Sequence, residues 1–317
     1  MPSARAPSVP ADRAESWIAA GANGLPVRVY GWATNTGRRP AVIWGHANGF
    51  AAGAYGGLLD MLAPEMDIYA ADLRAHGGSA DPGEAGGSYA RYMTADCFAL
   101  DLVSVVQSIR RRTPAQPLHF AAHSVSGLGA LRMGAVFGHA PFVSMTLFEP
   151  PLAPTPDNPL HAGAAALGEF LAGRALRRRR ELPDPESFAA GLATRNGFDR
   201  WRPDMLSDFA HATMAAAPDG DGWRLRCPPE AEAEVYRMTM DVSTFAALGR
   251  FDRPILFVES DPNTAGVAPS WATKAQAAAA KRAPRGRLMR IERTSHMMPF
   301  ERPEAVCDIV AGAVANS

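Results

Sequence analysis

The sequence has few cysteines and almost no lysine. Its 317 residues include three cysteines, Cys97, Cys227 and Cys307, whose number and wide spacing exclude a disulfide framework and a cysteine-based metal site. The two lysines are Lys274 and Lys281, so arginine supplies nearly all of the 32 basic side chains. These counts favour buried, reduced thiols in a reducing compartment.

Long apolar segments and an excess of charge of either sign are also absent. No run approaches the roughly 18 apolar residues that a bilayer-spanning helix needs, and the first 17 residues lack the apolar core of a signal peptide. Lys plus Arg and Asp plus Glu number 32 each, which argues against a protein built to hold nucleic acid. We therefore expect a cytoplasmic monomer or homodimer that acts on a small molecule, with no nucleic-acid partner and no membrane partner.

The chain does contain short apolar runs that alternate with helical stretches. Apolar types make up 47% of the residues, enough for a large core. The predicted strands are Pro26–Thr34, Pro40–Ala47, Met66–Leu73, Pro117–His123, Phe142–Phe148, Pro254–Glu259 and Arg287–Glu292. The predicted helices are Tyr89–Arg112, Val125–Val136, Ser270–Arg282 and Pro303–Val314. This alternation predicts an α/β fold, in which helices flank both faces of a mostly parallel central sheet.

The middle of the chain interrupts this alternation. Residues 151–250 show no clear strand pattern and are punctuated by proline. We interpret them as a helical cap inserted between two strands of the sheet. Residues 17–150 and 251–317 then form the core, and residues 1–16 form a loose N-terminal arm.

A serine between a predicted strand and a predicted helix is the strongest chemical signal. Ser124 follows the strand that ends at His123, and the small residues Ala122 and Ser126 flank it at −2 and +2. A sharp strand–turn–helix holds such a serine in a strained conformation that only small neighbours tolerate. The hydroxyl then lies at a helix N-terminus, where the dipole favours negative charge. The pattern favours a nucleophile, and the alternative is a serine that caps the helix.

Two loops after predicted strands carry weaker signals. The loop 45–50, Gly-His-Ala-Asn-Gly-Phe, can aim backbone N–H groups at a developing oxyanion, although an ordinary glycine turn is the alternative. We interpret the second loop, Asp72–Ser79, as a structural turn that Asp72 and Arg74 tie down. We do not expect His76 to act in catalysis.

One histidine is placed to serve the serine. His296 lies on a loop between the last predicted strand and the last predicted helix, at the carboxyl edge of the predicted sheet. A single loop histidine is usually a surface residue. The order of an early serine and a late histidine nevertheless favours His296 among the eight histidines.

These four segments together resemble the α/β-hydrolase superfamily, in its helical-capped serine hydrolase branch. The resemblance covers residues 26–314 and is most specific at His46–Phe50, Asp72–Ser79, Ala122–Gly127 and Ser295–Pro303. It implies the α/β-hydrolase fold with an inserted helical cap. It also implies Ser124 as nucleophile, His296 as general base, and the backbone N–H groups of Asn48 and Val125 as oxyanion donors. A serine at this turn argues against dehalogenases and epoxide hydrolases, whose ester intermediate needs a carboxylate.

The acid that would orient His296 has two candidates. Asp261 follows a predicted strand and precedes a proline, so it resembles the acid found there in relatives, although the segment is short and lacks the usual glycine. Glu149 directly follows another predicted strand, 25 residues after the candidate nucleophile, where some members of the superfamily carry the acid. We favour Asp261, keep Glu149 as the alternative, and place Glu259 below both.

The sequence therefore predicts a serine hydrolase that cleaves a carboxylic ester, lactone or thioester through an acyl-enzyme, with no metal or organic cofactor. Because a fold does not choose a reaction, carbon–carbon bond hydrolases, acyltransferases, lyases and cofactor-free oxygenases on the same scaffold are alternatives. A non-catalytic ligand-binding protein is a further alternative, which the presence of both Ser124 and His296 disfavours.

Overall fold

The centre of the protein is a twisted sheet of eight strands. A computed structural model describes residues 2–32, 37–137, 141–217, 222–264 and 271–317. Numbered in chain order, the strands of this sheet are β1 (Ala14–Ala20), β2 (Pro26–Trp32), β3 (Ala41–Gly45), β4 (Asp67–Ala71), β5 (Leu118–His123), β6 (Met145–Phe148), β10 (Ile255–Ser260) and β11 (Gly286–Ile291). They lie in the order β1-β2-β4-β3-β5-β6-β10-β11.

The direction of the strands brings several loops to one edge of the sheet. β2 pairs antiparallel with both β1 and β4, and every other neighbouring pair is parallel. The carboxyl ends of β3, β4, β5, β6, β10 and β11 therefore lie at the same edge. In such sheets this edge is where ligands bind.

Helices cover both faces of the sheet. They are α1 (Gly56–Leu62), α2 (Tyr89–Tyr92), α3 (Ala95–Arg112), α4 (Val125–Phe137), α5 (His161–Leu176), α6 (Pro185–Ala193), α7 (Pro203–Thr213), α8 (Pro229–Met238), α9 (Val242–Ala247), α10 (Trp271–Arg282), α11 (Met298–Glu301) and α12 (Pro303–Ala315). One face packs against α3, α4 and α10, and the other against α1 and α12. Within the described ranges, no helix has the length and apolar character that crossing a bilayer requires.

The central strands β3, β5 and β6 are mostly apolar because both of their faces are buried. In β5, Phe120 and Ala122 belong to the core on one face, whereas Ala121 belongs to the core on the other. A strand covered on both faces loses the alternation of polar and apolar residues. The continuous apolar runs in the sequence predict such strands, and the α/β-hydrolase fold is confirmed.

Two elements differ from their predicted form. β1 was not predicted, because it is an edge strand whose polar residues, such as Glu15 and Ser16, interrupt its apolar pattern. The helix predicted over Tyr89–Arg112 is two helices, since Thr94 has an extended backbone and caps α3 with its side chain. The predicted ends at Thr34 and Ser270 lie outside the described residues.

The N-terminal arm is docked on the protein, which corrects the expectation of a loose segment. The Oγ of Ser8 donates to Oδ2 of Asp72 at 2.9 Å, and a buried carboxylate needs such donors. Nη1 of Arg5 donates to the backbone oxygen of Arg226 at 2.6 Å. Residues 14–16, assigned to the arm from sequence, already belong to β1.

Residues 151–250, which we call the inserted segment, separate β6 from β10 along the chain. They contain α5 to α9, but also a small antiparallel sheet of β7 (Glu181–Leu182), β9 (Trp223–Leu225) and β8 (Met214–Ala216). The expectation of a segment without strands is therefore corrected. Strands of two or three residues are too short for a period-two pattern to appear in the sequence.

Candidate active site

Ser124 lies in a strained turn between β5 and α4. Its φ is +59°, in the left-handed region that non-glycine residues rarely adopt and that costs of order 1–3 kcal/mol. Its backbone N–H donates to Phe148 O at 2.9 Å, and its carbonyl accepts from Gly127 N at 2.9 Å. These bonds fix the turn and leave Ser124 partly exposed, while His123 and Val125 on either side are buried.

The small residues that flank the turn pack against a glycine in β3. A Cβ added at Gly45 would lie 2.3 Å from the Cβ of Ser126 and 3.2 Å from that of Ala122. The Oγ of Ser126 also donates to His46 O at 2.6 Å. The turn can therefore sit directly on β3 only because all three positions carry small side chains.

His296 and Glu149 form a hydrogen-bonded pair beside this turn. The Nδ1 of His296 lies 2.7 Å from Oε2 of Glu149. The His296 loop is tied to the turn by His123, whose Nε2 donates to His296 O at 2.8 Å. Since His123 directly precedes Ser124, the pair lies next to the strained serine.

The environment of Glu149 keeps its carboxylate charged. The side chain is fully buried, and Oε1 accepts from the backbone N–H of Ser260 at 2.8 Å and from its hydroxyl at 2.6 Å, as well as from the Thr273 hydroxyl. Burial raises the pKa of Glu149, but the hydrogen bond and charge of His296 and the two hydroxyls outweigh it and lower that pKa to about 2. An ionised carboxylate can only accept, so the Nδ1 of His296 is the donor.

The expectation that Asp261 lies against His296 is corrected by this geometry. The carboxylate of Asp261 accepts from the backbone N–H groups of Asn263 at 2.8 Å and of Arg293 at 3.0 Å. Asn263 belongs to the loop of Asp261, whereas Arg293 belongs to the loop after β11, so Asp261 ties these two loops together. Glu259, the third candidate, has Oε1 2.6 Å from a guanidinium nitrogen of Arg290. Of the three carboxylates, Glu149 is the one in contact with His296.

Two backbone N–H groups beside the turn are available to a ligand. Val125 is the first residue of α4, so its N–H has no intrahelical acceptor. Within the described parts of the chain, neither Val125 N nor Asn48 N donates to another protein atom. β3 and β5 are neighbours in the sheet, so the loops that carry the two groups are adjacent. Such free N–H groups can stabilise an oxyanion.

Two buried histidines fix the loop that contains Asn48. His46 accepts from Leu73 N through Nε2 at 2.9 Å and donates to Ala47 O through Nδ1 at 2.8 Å. The Nε2 of His76 accepts from Gly49 N at 3.0 Å. Burial lowers the pKa of both histidines, that of His76 to about 3. Both rings are therefore neutral links between loops, in agreement with the structural interpretation of the Asp72–Ser79 turn.

The inserted segment reaches the same loop. The Nδ2 of Asn48 donates to Glu232 O at 3.0 Å. The Glu232 carboxylate is 6% exposed and pairs with Arg178. A Cβ at Gly49 would lie 3.1 Å from both Nη1 of Arg178 and Oε1 of Glu232. An ion pair of the inserted segment thus covers the Asn48 loop, a contact that no motif in the sequence indicates.

A tyrosine and a histidine that the sequence does not single out contact each other beside the Ser124 turn. The hydroxyl of Tyr55 accepts from Ala47 N at 3.1 Å and lies 2.7 Å from Nδ1 of His123. Both side chains are fully buried. The sequence offers one signal for His123, its place directly before Ser124, and none for Tyr55.

The geometry brings together the parts that acyl transfer through a serine uses. These are a serine in a strained turn, a histidine bound to an ionised carboxylate, and two free N–H groups. Among the described residues, no group of three or more His, Cys, Asp or Glu side chains is arranged to hold a metal ion.

Comparison with known proteins gives a family and several structural neighbours. A model of the alpha/beta hydrolase family matches residues 14–309. The solved E-2-(acetamidomethylene)succinate hydrolase is similar to the chain with a TM-score of 0.73 and 17% identity, over 95% of this chain and 99% of that one. A bromoperoxidase from Bacillus anthracis has a TM-score of 0.68 and 16% identity, over 95% and 100%.

A thermophilic esterase from Thermogutta terrifontis, solved with malate bound, has a TM-score of 0.65 and 18% identity, over 95% of this chain and 98% of that one. No curated protein matches the sequence. At these identities the likeness shows the fold, and the named reactions belong to those proteins.

Proposed function

The chain belongs to the alpha/beta hydrolase family, and on that premise we propose that it is a serine hydrolase that cleaves a carboxylic ester, lactone or thioester. One observation carries the proposal, the 2.7 Å contact between Nδ1 of His296 and the buried, ionised Glu149. This contact holds the imidazole in the tautomer whose Nε2 carries a lone pair, as a general base requires.

The proposed reaction begins with attack of the serine. The Oγ of Ser124 bonds to the carbonyl carbon of the substrate while its proton passes to Nε2 of His296. The negative charge moves to the carbonyl oxygen, where the N–H groups of Asn48 and Val125 donate to it. Glu149 stabilises the imidazolium that forms on His296.

The second half of the cycle restores the enzyme. The bond from the carbonyl carbon to the leaving oxygen or sulfur breaks, and His296 returns its proton to that leaving group. Water then attacks the acyl-enzyme, and its proton passes to His296. When the bond to Ser124 Oγ breaks, the serine recovers this proton and the carboxylic acid is released.

The strained turn supports the assignment of Ser124. A positive φ is uncommon in a non-glycine residue and is retained only where the surrounding structure enforces it. Here it places the hydroxyl at the N-terminus of α4, where the helix dipole favours the developing negative charge. A serine that only capped the helix would have no need for such strain.

Labelling with a fluorophosphonate, combined with a series of p-nitrophenyl esters of increasing acyl length, tests the proposal. We expect the label on Ser124, and Ser124→Ala to lose both the label and ester turnover by roughly 10⁴-fold or more. Ser144→Ala is the matched control, since Ser144 precedes β6 at the opposite edge of the sheet and bonds His119 there. If Ser124→Ala kept more than a tenth of the activity, or the label lay elsewhere, the proposal would be wrong.

A further inference from the structure

A chain of hydrogen bonds through two buried side chains joins three loops that meet at Ser124. It starts on the Asn48 loop, where Ala47 N donates to the hydroxyl of Tyr55 at 3.1 Å. The Tyr55 hydroxyl lies 2.7 Å from Nδ1 of His123. The chain ends on the third loop, where Nε2 of His123 lies 2.8 Å from the backbone oxygen of His296.

Chemistry allows a single arrangement of protons along this chain. The backbone oxygen of His296 can only accept, so Nε2 of His123 carries a proton. Burial, together with the nearby charge of His296, lowers the pKa of His123 far below its usual value, so the ring is neutral and Nδ1 has a lone pair. Tyr55 must then donate to Nδ1, and its oxygen accepts from Ala47.

Three points of the chain lie at, or one residue from, a group used in the proposed reaction. Ala47 precedes Asn48, whose N–H is a proposed oxyanion donor, and His123 precedes Ser124. The far end is the backbone of His296 itself. We propose that Tyr55 and His123 are positioning residues that hold the Asn48 loop and the His296 loop in fixed positions relative to Ser124. This inference rests on the proposed function.

Packing around Tyr55 allows the hydroxyl to be tested alone. Its ring contacts those of Phe300 and Trp44, with centroids 4.8 and 5.4 Å away. A phenylalanine would keep these contacts, so Tyr55→Phe should remain folded. It would leave Ala47 N and Nδ1 of His123 without their partner, which frees both loops to shift.

The first experiment compares Tyr55→Phe with the wild type on the best p-nitrophenyl ester. We expect kcat to fall by roughly 10- to 100-fold, because a shift of about 1 Å in a reacting group can cost 10²-fold, while KM stays within about threefold. The rate of fluorophosphonate labelling at Ser124 should fall in parallel. Tyr69→Phe is the matched control, because Tyr69 is a buried tyrosine of β4 whose ring packs against Trp17, away from the Ser124 turn.

Two variants of His123 separate the two ends of the chain. His123→Asn places an acceptor near the position of Nδ1, so it keeps the link to Tyr55 and loses the link to His296. His123→Gln places a donor near the position of Nε2, so it keeps the link to His296 and loses that to Tyr55. If Tyr55 and His123 act as one unit, Tyr55→Phe combined with His123→Gln should be no more than about threefold slower than the slower single variant.

Three results would overturn the inference. The first is a Tyr55→Phe variant that keeps kcat and the labelling rate within twofold of the wild type. The second is a Tyr55→Phe variant whose melting temperature falls while kcat is unchanged, as expected for a residue that only stabilises the fold. The third is a double variant whose fold-loss in kcat equals the product of the two single losses, which would show that the two residues act separately. Failure of the proposed function is distinguishable, because wild-type Ser124 would then not be labelled.

Discussion

The loops that follow β6 and β10 lie side by side at the same edge of the sheet, and the first residue of each loop carries a carboxylate. Glu149, after β6, is fully buried and bonds His296 and Ser260. Asp261, after β10, is partly exposed and bonds the backbone of its own loop and of the loop after β11. Neighbouring positions thus give one carboxylate a partner in the candidate site and the other a role in holding a loop.

The two positions differ in backbone conformation as well as in burial. Glu149 has a φ of +46°, a second left-handed conformation at this edge, and its N–H still bonds Val258 O of β10 at 2.9 Å. It therefore turns while paired to the sheet, and its side chain stays buried. Asp261 has no positive φ; its N–H bonds Thr294 O in the loop after β11 at 3.2 Å, and its side chain is partly exposed. Both carboxylates thus lie at the sheet edge, and it is the buried one that contacts His296.

Glu149→Gln should produce the largest effect of any test of this comparison. An amide keeps the size of the side chain but can hold His296 in the wrong tautomer, which costs roughly 10⁴-fold in kcat in the serine-protease template. We expect a loss of 10³- to 10⁴-fold in kcat for ester hydrolysis. Glu259→Gln is the matched control, because that carboxylate is also buried but pairs with Arg290. Similar kcat values for the two variants would remove Glu149 from its role.

The pH dependence of stability should show that Glu149 is held in its charged form. The pKa of Glu149 is about 2 in the folded protein, below the ordinary value of 4.5 that applies when the chain unfolds. Its stabilising contribution is therefore complete above pH 4.5 and is lost as the pH falls towards 2. The difference in unfolding free energy between wild type and Glu149→Gln should shrink by about 2 kcal/mol from pH 5 to pH 3.

Urea unfolding at several pH values measures this difference. The same comparison for Glu259→Gln shows whether the effect is particular to Glu149. If the gap between wild type and Glu149→Gln stayed constant from pH 5 to pH 3, the carboxylate would not be held in its charged form by His296.

Asp261→Asn should have the smallest effect on activity. The amide keeps one acceptor for the loop but presents an N–H₂ group to the second backbone N–H, so one hydrogen bond is lost, at about 1 kcal/mol. We expect kcat within about threefold of the wild type and a melting temperature lower by a few degrees. This ranking is the reverse of the one that the sequence favours. A loss of more than 100-fold in kcat would restore Asp261 as the acid.

Much of the fold was predictable because its signals are local. Strands buried on both faces appear as continuous apolar runs, and α3 and α4 show as helices between them. The features that escaped prediction have weak local signals. β1 is a half-exposed edge strand, and the strands of the inserted segment span only two or three residues. The docking of the arm depends on Asp72, a buried carboxylate far along the chain.

By itself, the sequence determined the candidate nucleophile and its general setting. The Ser124 turn is a junction of adjacent residues, so strand, serine, helix and small neighbours are visible together. His296 follows from its place after the last strand. Only the tertiary structure decided that Glu149 contacts His296, that Tyr55 and His123 link the loops, and that Glu232 lies against Asn48. These contacts join residues far apart in the chain, and burial and strand order, which no short stretch of sequence encodes, select them.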